Sequence, residues 1–137
     1  MRSMFALFIA ALMASPVQAA APVAGKWLTT EKDSIIEISP CGPALCGKIF
    51  RILQPTDDGK PATDRYNPNV ALRSRPVLGL TILHSFVDNG ANWKGQIYDP
   101  RNGKTYKSFL QRLPDGNLKL KGCVGPFCRS LVYTPSR

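Results

Sequence analysis

VLGLTILHSFVDNGANWKGQIYDPRNGKTYKSFLQRLPDGNLKLKG, residues 77–122, decides the fold. It reads as four strands, 77–86, 92–98, 104–113 and 117–122, each short and rich in β-branched, aromatic or leucine side chains. Between them stand Asp88-Asn89-Gly90, the run Asp99-Pro-Arg-Asn-Gly103 and Pro114-Asp115-Gly116. Asn, Asp and Gly tolerate the positive φ that tight hairpins need, so each separator reverses the chain and pairs its flanks antiparallel. The same pattern extends outward, to 25–30, 34–39 and 46–53 on one side and 129–134 on the other. Helical periodicity is nearly absent. Eight short strands joined by tight turns predict an all-β, eight-stranded antiparallel up-and-down barrel, because closure removes exposed edges. A β-sandwich of the same strands is the alternative.

The segment before the first strand reads as an address. Arg2 supplies a positive start, and residues 4–14 are an unbroken apolar run. Ser15 and Pro16 end the run, and Val17-Gln18-Ala19 puts small residues where a signal peptidase inspects them. A cleaved signal peptide over residues 1–19 is expected, leaving 20–137 as a single barrel domain. A membrane anchor is the competing reading, but the run is too short for a hydrocarbon core of about 30 Å. The expected location is periplasmic or secreted.

Four cysteines form two similar hexapeptides, Cys41-Gly-Pro-Ala-Leu-Cys46 and Cys123-Val-Gly-Pro-Phe-Cys128. An even count in a small exported chain reads as disulfides. Gly and Pro let each hexapeptide turn back on itself, which favours Cys41–Cys46 and Cys123–Cys128. A four-thiolate zinc site is the rival, at the limit of the usual spacing.

The formal charge is +9. It is concentrated late: residues 101–137 hold eight Lys/Arg against one Asp, residues 20–100 nine against eight. Such asymmetry suggests a basic face meeting something acidic. Export argues against nucleic acid and for acidic lipids or envelope polymers. Solvated strand faces are the plainer account.

Residues 54–76 form one long connection without strand pattern, and loops of this length are usually functional or disordered. It holds Asp57, Asp58, Asp64, Arg65, Tyr66, Asn67, Arg73 and Arg75, with a short helical turn expected over 68–72. Arg73 and Arg75 alternate, so an extended chain puts both on one side, a fork suited to a carboxylate or phosphate. Arg73, Arg75, Asp64, Tyr66 and Asn67 are the expected ligand-binding residues. The opposing account pairs the arginines internally with loop carboxylates. No catalytic residue, metal site or cofactor is expected. The lone His84 alternates with Leu80, Ile82 and Phe86, which reads as a buried, hydrogen-bonded histidine.

Gly25-Lys26-Trp27 opens the first strand and Arg129 the last, and these strands are neighbours once a barrel closes. A guanidinium over the indole follows, an arrangement that resembles the closed end of lipocalins. The resemblance widens along the mature chain. Gly25-Lys-Trp27, the hexapeptide from Cys41 with Gly47, Asn67-Pro68, Arg73-Ser-Arg-Pro-Val-Leu-Gly79, Trp93-Lys-Gly95, Ile97-Tyr-Asp-Pro100, Gly103-Lys-Thr-Tyr106 and Gly122-Cys-Val-Gly125 resemble the DUF2147 family of secreted bacterial proteins. The resemblance implies a lipocalin-like barrel and no established activity.

The expected function is therefore binding of a small apolar or amphipathic ligand, its apolar part inside the barrel and the long loop at the mouth. The alternative is an envelope interaction protein with a filled barrel. Neither spans a membrane, and neither is an enzyme.

Overall fold

The computed structural model describes residues 10–137. Arg2 and the first part of the expected signal run lie outside the described residues. Residues 10–19 carry no helix or strand and are exposed. Eight strands follow: β1 (Gly25–Leu28), β2 (Ser34–Cys41), β3 (Ala44–Ile52), β4 (Thr81–Asp88), β5 (Trp93–Asp99), β6 (Lys104–Arg112), β7 (Leu118–Val124) and β8 (Phe127–Pro135). Each pairs antiparallel with its sequence neighbour, and β1 pairs with β8 to close the barrel. Among the described residues no helix is long and apolar enough to cross a membrane.

Register decides which side chains face inward. Trp27 lies opposite Ile36, Ile36 opposite Ile49, Leu110 opposite Leu120 and Leu118 opposite Tyr133. All are buried and belong to one apolar cluster. Small residues on the same face make room for large ones. A Cβ on Gly47 would collide with the Leu83 side chain, and one on Gly95 with the Phe86 ring. The barrel interior is thus occupied by its own side chains.

Leu83 and Phe86 are three residues apart yet both face inward, which strict alternation forbids. Ser85, at φ 56°, absorbs the extra residue in a bulge, where the β4–β5 register shifts. This corrects the expectation that His84 shares the apolar face of Ile82 and Phe86 as a hydrogen-bonded core residue. It sits on the opposite face from Phe86, half-buried, with no hydrogen-bond partner among the described residues.

The closed end is sealed by the segment before β1. Val23 is wholly buried. Its carbonyl accepts from Trp27 Nε1 at 2.9 Å, and the Ala21 carbonyl from Trp93 Nε1 at 2.9 Å. The Ala20 N–H donates to both carboxylate oxygens of Asp88, each at 3.0 Å. Arg112 lies over the Trp27 ring, 5.0 Å from its centroid. The expected partner was Arg129, and the stagger of the strands explains the difference. β1 meets β8 at Thr134 and Pro135, whereas Arg129 lies opposite Gly122, exposed and five residues back, about 17 Å along the strand.

Both disulfides are local: Cys41–Cys46 across the β2–β3 hairpin and Cys123–Cys128 across β7–β8. They lie at opposite ends of the barrel.

Candidate functional site

The connection between β3 and β4 is longer than its sequence pattern suggested. β4 begins at Thr81 rather than at Val77, after Pro76 and after Gly79 at φ 83°. The connection stays ordered because it is tied to itself and to the barrel. Thr63 bridges Pro76 and the Asp64 N–H donates to the Arg75 carbonyl, making a short internal ladder. A 3-10 turn, Val70–Leu72, is capped by the Asn69 side chain accepting from the Ala71 N–H.

Asp64 is the tie to the barrel. Its carboxylate is wholly buried and accepts three hydrogen bonds. Tyr98 Oη on β5 donates to Oδ1, while Asn67 Nδ2 and Arg75 Nε donate to Oδ2, each at 2.8 Å. Burial pushes the carboxyl up, but the bonds from Tyr98, Asn67 and Arg75 outweigh it and hold Asp64 below the usual carboxylate range. Tyr98 moves the opposite way, raised by burial and by the Asp64 carboxylate it donates to.

Above this network lies a cavity of about 570 Å³, between the long loop and the outer face of β4–β6. Asn67, Pro68, Arg75, Leu78, His84, Tyr98 and Thr105 are among the residues lining it. The side of the barrel follows from register. Tyr98 pairs with Thr105, and His84 with Gln96, on the face opposite to Gly95, Ser108 and Leu110. A second cavity of about 540 Å³ is lined by Ile52 and by residues 53–56 and 59–62 of the same connection, and shares Pro76 and Leu78 with the first. Leu78 is 56% exposed, so an apolar wall joins the two.

The expected binding residues are divided by this geometry. Arg75 and Asn67 line the first cavity, and Asp64 lies beneath them. Arg75 gives only Nε to Asp64, and its two Nη groups have no protein partner among the described residues. Tyr66 is 49% exposed, with the Arg65 guanidinium 4.7 Å from its ring centroid, and does not line the cavity. Arg73 turns away: its Nε donates to the Asn67 carbonyl at 2.7 Å. The expected fork does not form because Arg73 is the C-cap of the 3-10 turn, with helical φ −67° and ψ −22°. Two-residue alternation requires an extended chain. Sequence reasoning missed His84, Tyr98 and Thr105. Tyr98 carried one usable signal, a tyrosine at the outward parity of a strand ending in a turn, next to the one loop rich in carboxylates. No group of three or more His, Cys, Asp or Glu that could hold a metal occurs among the described residues.

One solved structure that the fold resembles is protein HP1028 from Helicobacter pylori, described as belonging to the lipocalin family. The TM-score is 0.74 at 21% identity, covering 86% of this chain and 85% of that one. This likeness establishes the barrel as lipocalin-like. No curated protein matches the chain. Residues 25–135, the whole barrel from β1 to β8, match the model of a family described as uncharacterised protein conserved in bacteria, and the chain therefore belongs to the DUF2147 family.

Proposed function

We propose that the protein is an exported binding protein, without catalytic turnover, for a small amphipathic ligand with an acidic end. The observation that carries this is the cavity over the Asp64 network. It joins one half-buried arginine with free Nη donors to an apolar wall at Pro76, Leu78 and Leu80. Mostly apolar walls with a few placed polar groups are what small-ligand sites offer. The site differs from the one expected from sequence, since the apolar part of the ligand lies against the outer wall rather than in the filled interior. Asp64 holds Arg75 in place through Nε, leaving the forked Nη face to a carboxylate or phosphate. Export is supported by the two disulfides, which persist in oxidising compartments, and by the apolar run ending before Ala19.

The test has two steps. Native mass spectrometry of protein purified from its own host should show a co-purifying acidic molecule. Binding of a dansyl-labelled medium-chain fatty acid should then weaken roughly tenfold or more in Arg75→Ala, with Arg73→Ala unchanged. Equal affinity in a folded Arg75→Ala variant removes this cavity as the site.

A further inference from the structure

The turn between β7 and β8 stands clear of the barrel. β6 follows β7 only as far as Cys123, opposite Lys107, and β1 reaches β8 only at Thr134 and Pro135. Residues 124–127 therefore project as a two-stranded tip without a neighbouring strand on either side. An isolated ribbon of this kind has little stability of its own. Here the Cys123–Cys128 bridge clamps a directly opposed pair immediately behind it. The tip carries apolar side chains into solvent. Val124 is 62% and Phe127 80% exposed, and because they are paired in register they share one face.

The charged residues on β6, β7 and β8, the strands behind the tip, are all positive. Lys107 lies opposite Cys123, Lys121 opposite Ser130 and Arg129 opposite Gly122. Lys107 and Lys121 both stand over Phe109, at 5.6 and 4.9 Å from its centroid, which fixes two ammonium groups on the outer wall. Residues 100–114 and 118–137 contain no Asp or Glu. None of the ion pairs among the described residues engages these three cations.

We infer that this tip docks the protein on an anionic lipid surface. Val124 and Phe127 enter the boundary between headgroups and acyl chains, and Lys107, Lys121 and Arg129 meet the lipid phosphates. Neither signal is strong alone; reversible membrane binding is built from a modest apolar insertion together with several basic residues. A soluble polyanion would satisfy the cations and leave the clamped Val–Phe pair without a role, which is why lipid is the occupant chosen. The tip is independent of the ligand cavity, although both lie at the end of the barrel where odd-numbered strands finish.

Co-sedimentation with vesicles of phosphatidylcholine mixed with phosphatidylglycerol tests this, against vesicles of phosphatidylcholine alone. The full chain should bind the anionic vesicles and release them at high salt. Phe127→Ser and the pair Lys107→Glu, Lys121→Glu should each weaken binding at least fivefold, with circular dichroism unchanged. Any contribution of the apolar run 4–14 is common to all these chains, so differences between them report the tip. In Phe127→Trp, emission should shift to the blue on anionic vesicles, relative to the background of Trp27 and Trp93. Three results would overturn the inference: equal binding to both vesicle types, binding unaffected by Phe127→Ser, or a solution dimer dispersed by Phe127→Ser with no vesicle binding. The last would make a second copy of the chain the occupant.

Discussion

Asp64 and Arg112 each do something their neighbours in sequence do not announce. Asp64 is a buried carboxylate whose donors come from both the long loop and β5. Asp64→Asn removes the charge and leaves Arg75 without its counter-ion. Chemical denaturation should show a loss of about 2–4 kcal/mol. The pH dependence has a definite sign. The folded carboxyl is held below its ordinary value near 3.9, so its contribution is complete above that pH. It drains as pH falls through the lower folded value, and Asp64→Asn should lack this acid slope. Arg112 makes a different case, at the closed end. Its guanidinium over Trp27 predicts that Arg112→Ala lowers stability by about 1 kcal/mol through lost cation–π contact and stem packing. Arg129→Ala should leave the melting temperature unchanged. Equal effects of the two changes in a thermal melt would contradict the register described here.

Among the elements, the turns were the most legible and the long loop the least. Asp88-Asn-Gly90 and Asp115-Gly116 encode their reversals locally, through residues that accept positive φ, so the strands they join follow without tertiary information. The β4 bulge at Ser85 had no such signal. Serine at φ 56° is held there by Leu83 and Phe86 both packing inward, a demand set by the glycines on neighbouring strands. The loop is another product of distant contacts. Its seat on the barrel needs Gly103, at φ 71°, in the β5–β6 turn: a Cβ there would collide with the Tyr66 carbonyl oxygen. Gly103→Ala should push residues 64–67 off the turn. Limited proteolysis should then cut within residues 54–76 faster than in the parent chain, while the barrel persists by circular dichroism. An unchanged cleavage rate would show that the loop does not rest on this turn.

For the molecule as a whole, the barrel and both disulfides could be read in advance because they follow from short-range rules. The candidate site could be read only in part: Arg75, Asn67 and Asp64 sit together, but the cavity's far wall, with His84, Tyr98 and Thr105, comes from strands whose register the sequence does not state. The two ends of the barrel are also unlike. One carries the loop, the cavity and the apolar tip; the other is tied shut by residues 20–23. Through that tie, cleavage of a leader at Ala19 would be felt by the fold. In the full-length chain Asp88 receives one neutral amide from Ala20. Cleavage after Ala19, as the leader pattern anticipates, would replace that amide with a primary ammonium in the same place, and a hydrogen bond would become an ion pair. Asp88→Asn should therefore cost the trimmed chain more melting temperature than the full-length chain. The carboxylate should raise the new amine's pKa, so the added stability is complete below the ordinary α-amino value near 8 and is lost as pH rises through the folded value. If full-length and trimmed chain melt alike across that range, with and without Asp88, the barrel does not distinguish the two. If they differ, removal of the leader locks the barrel as well as releasing it.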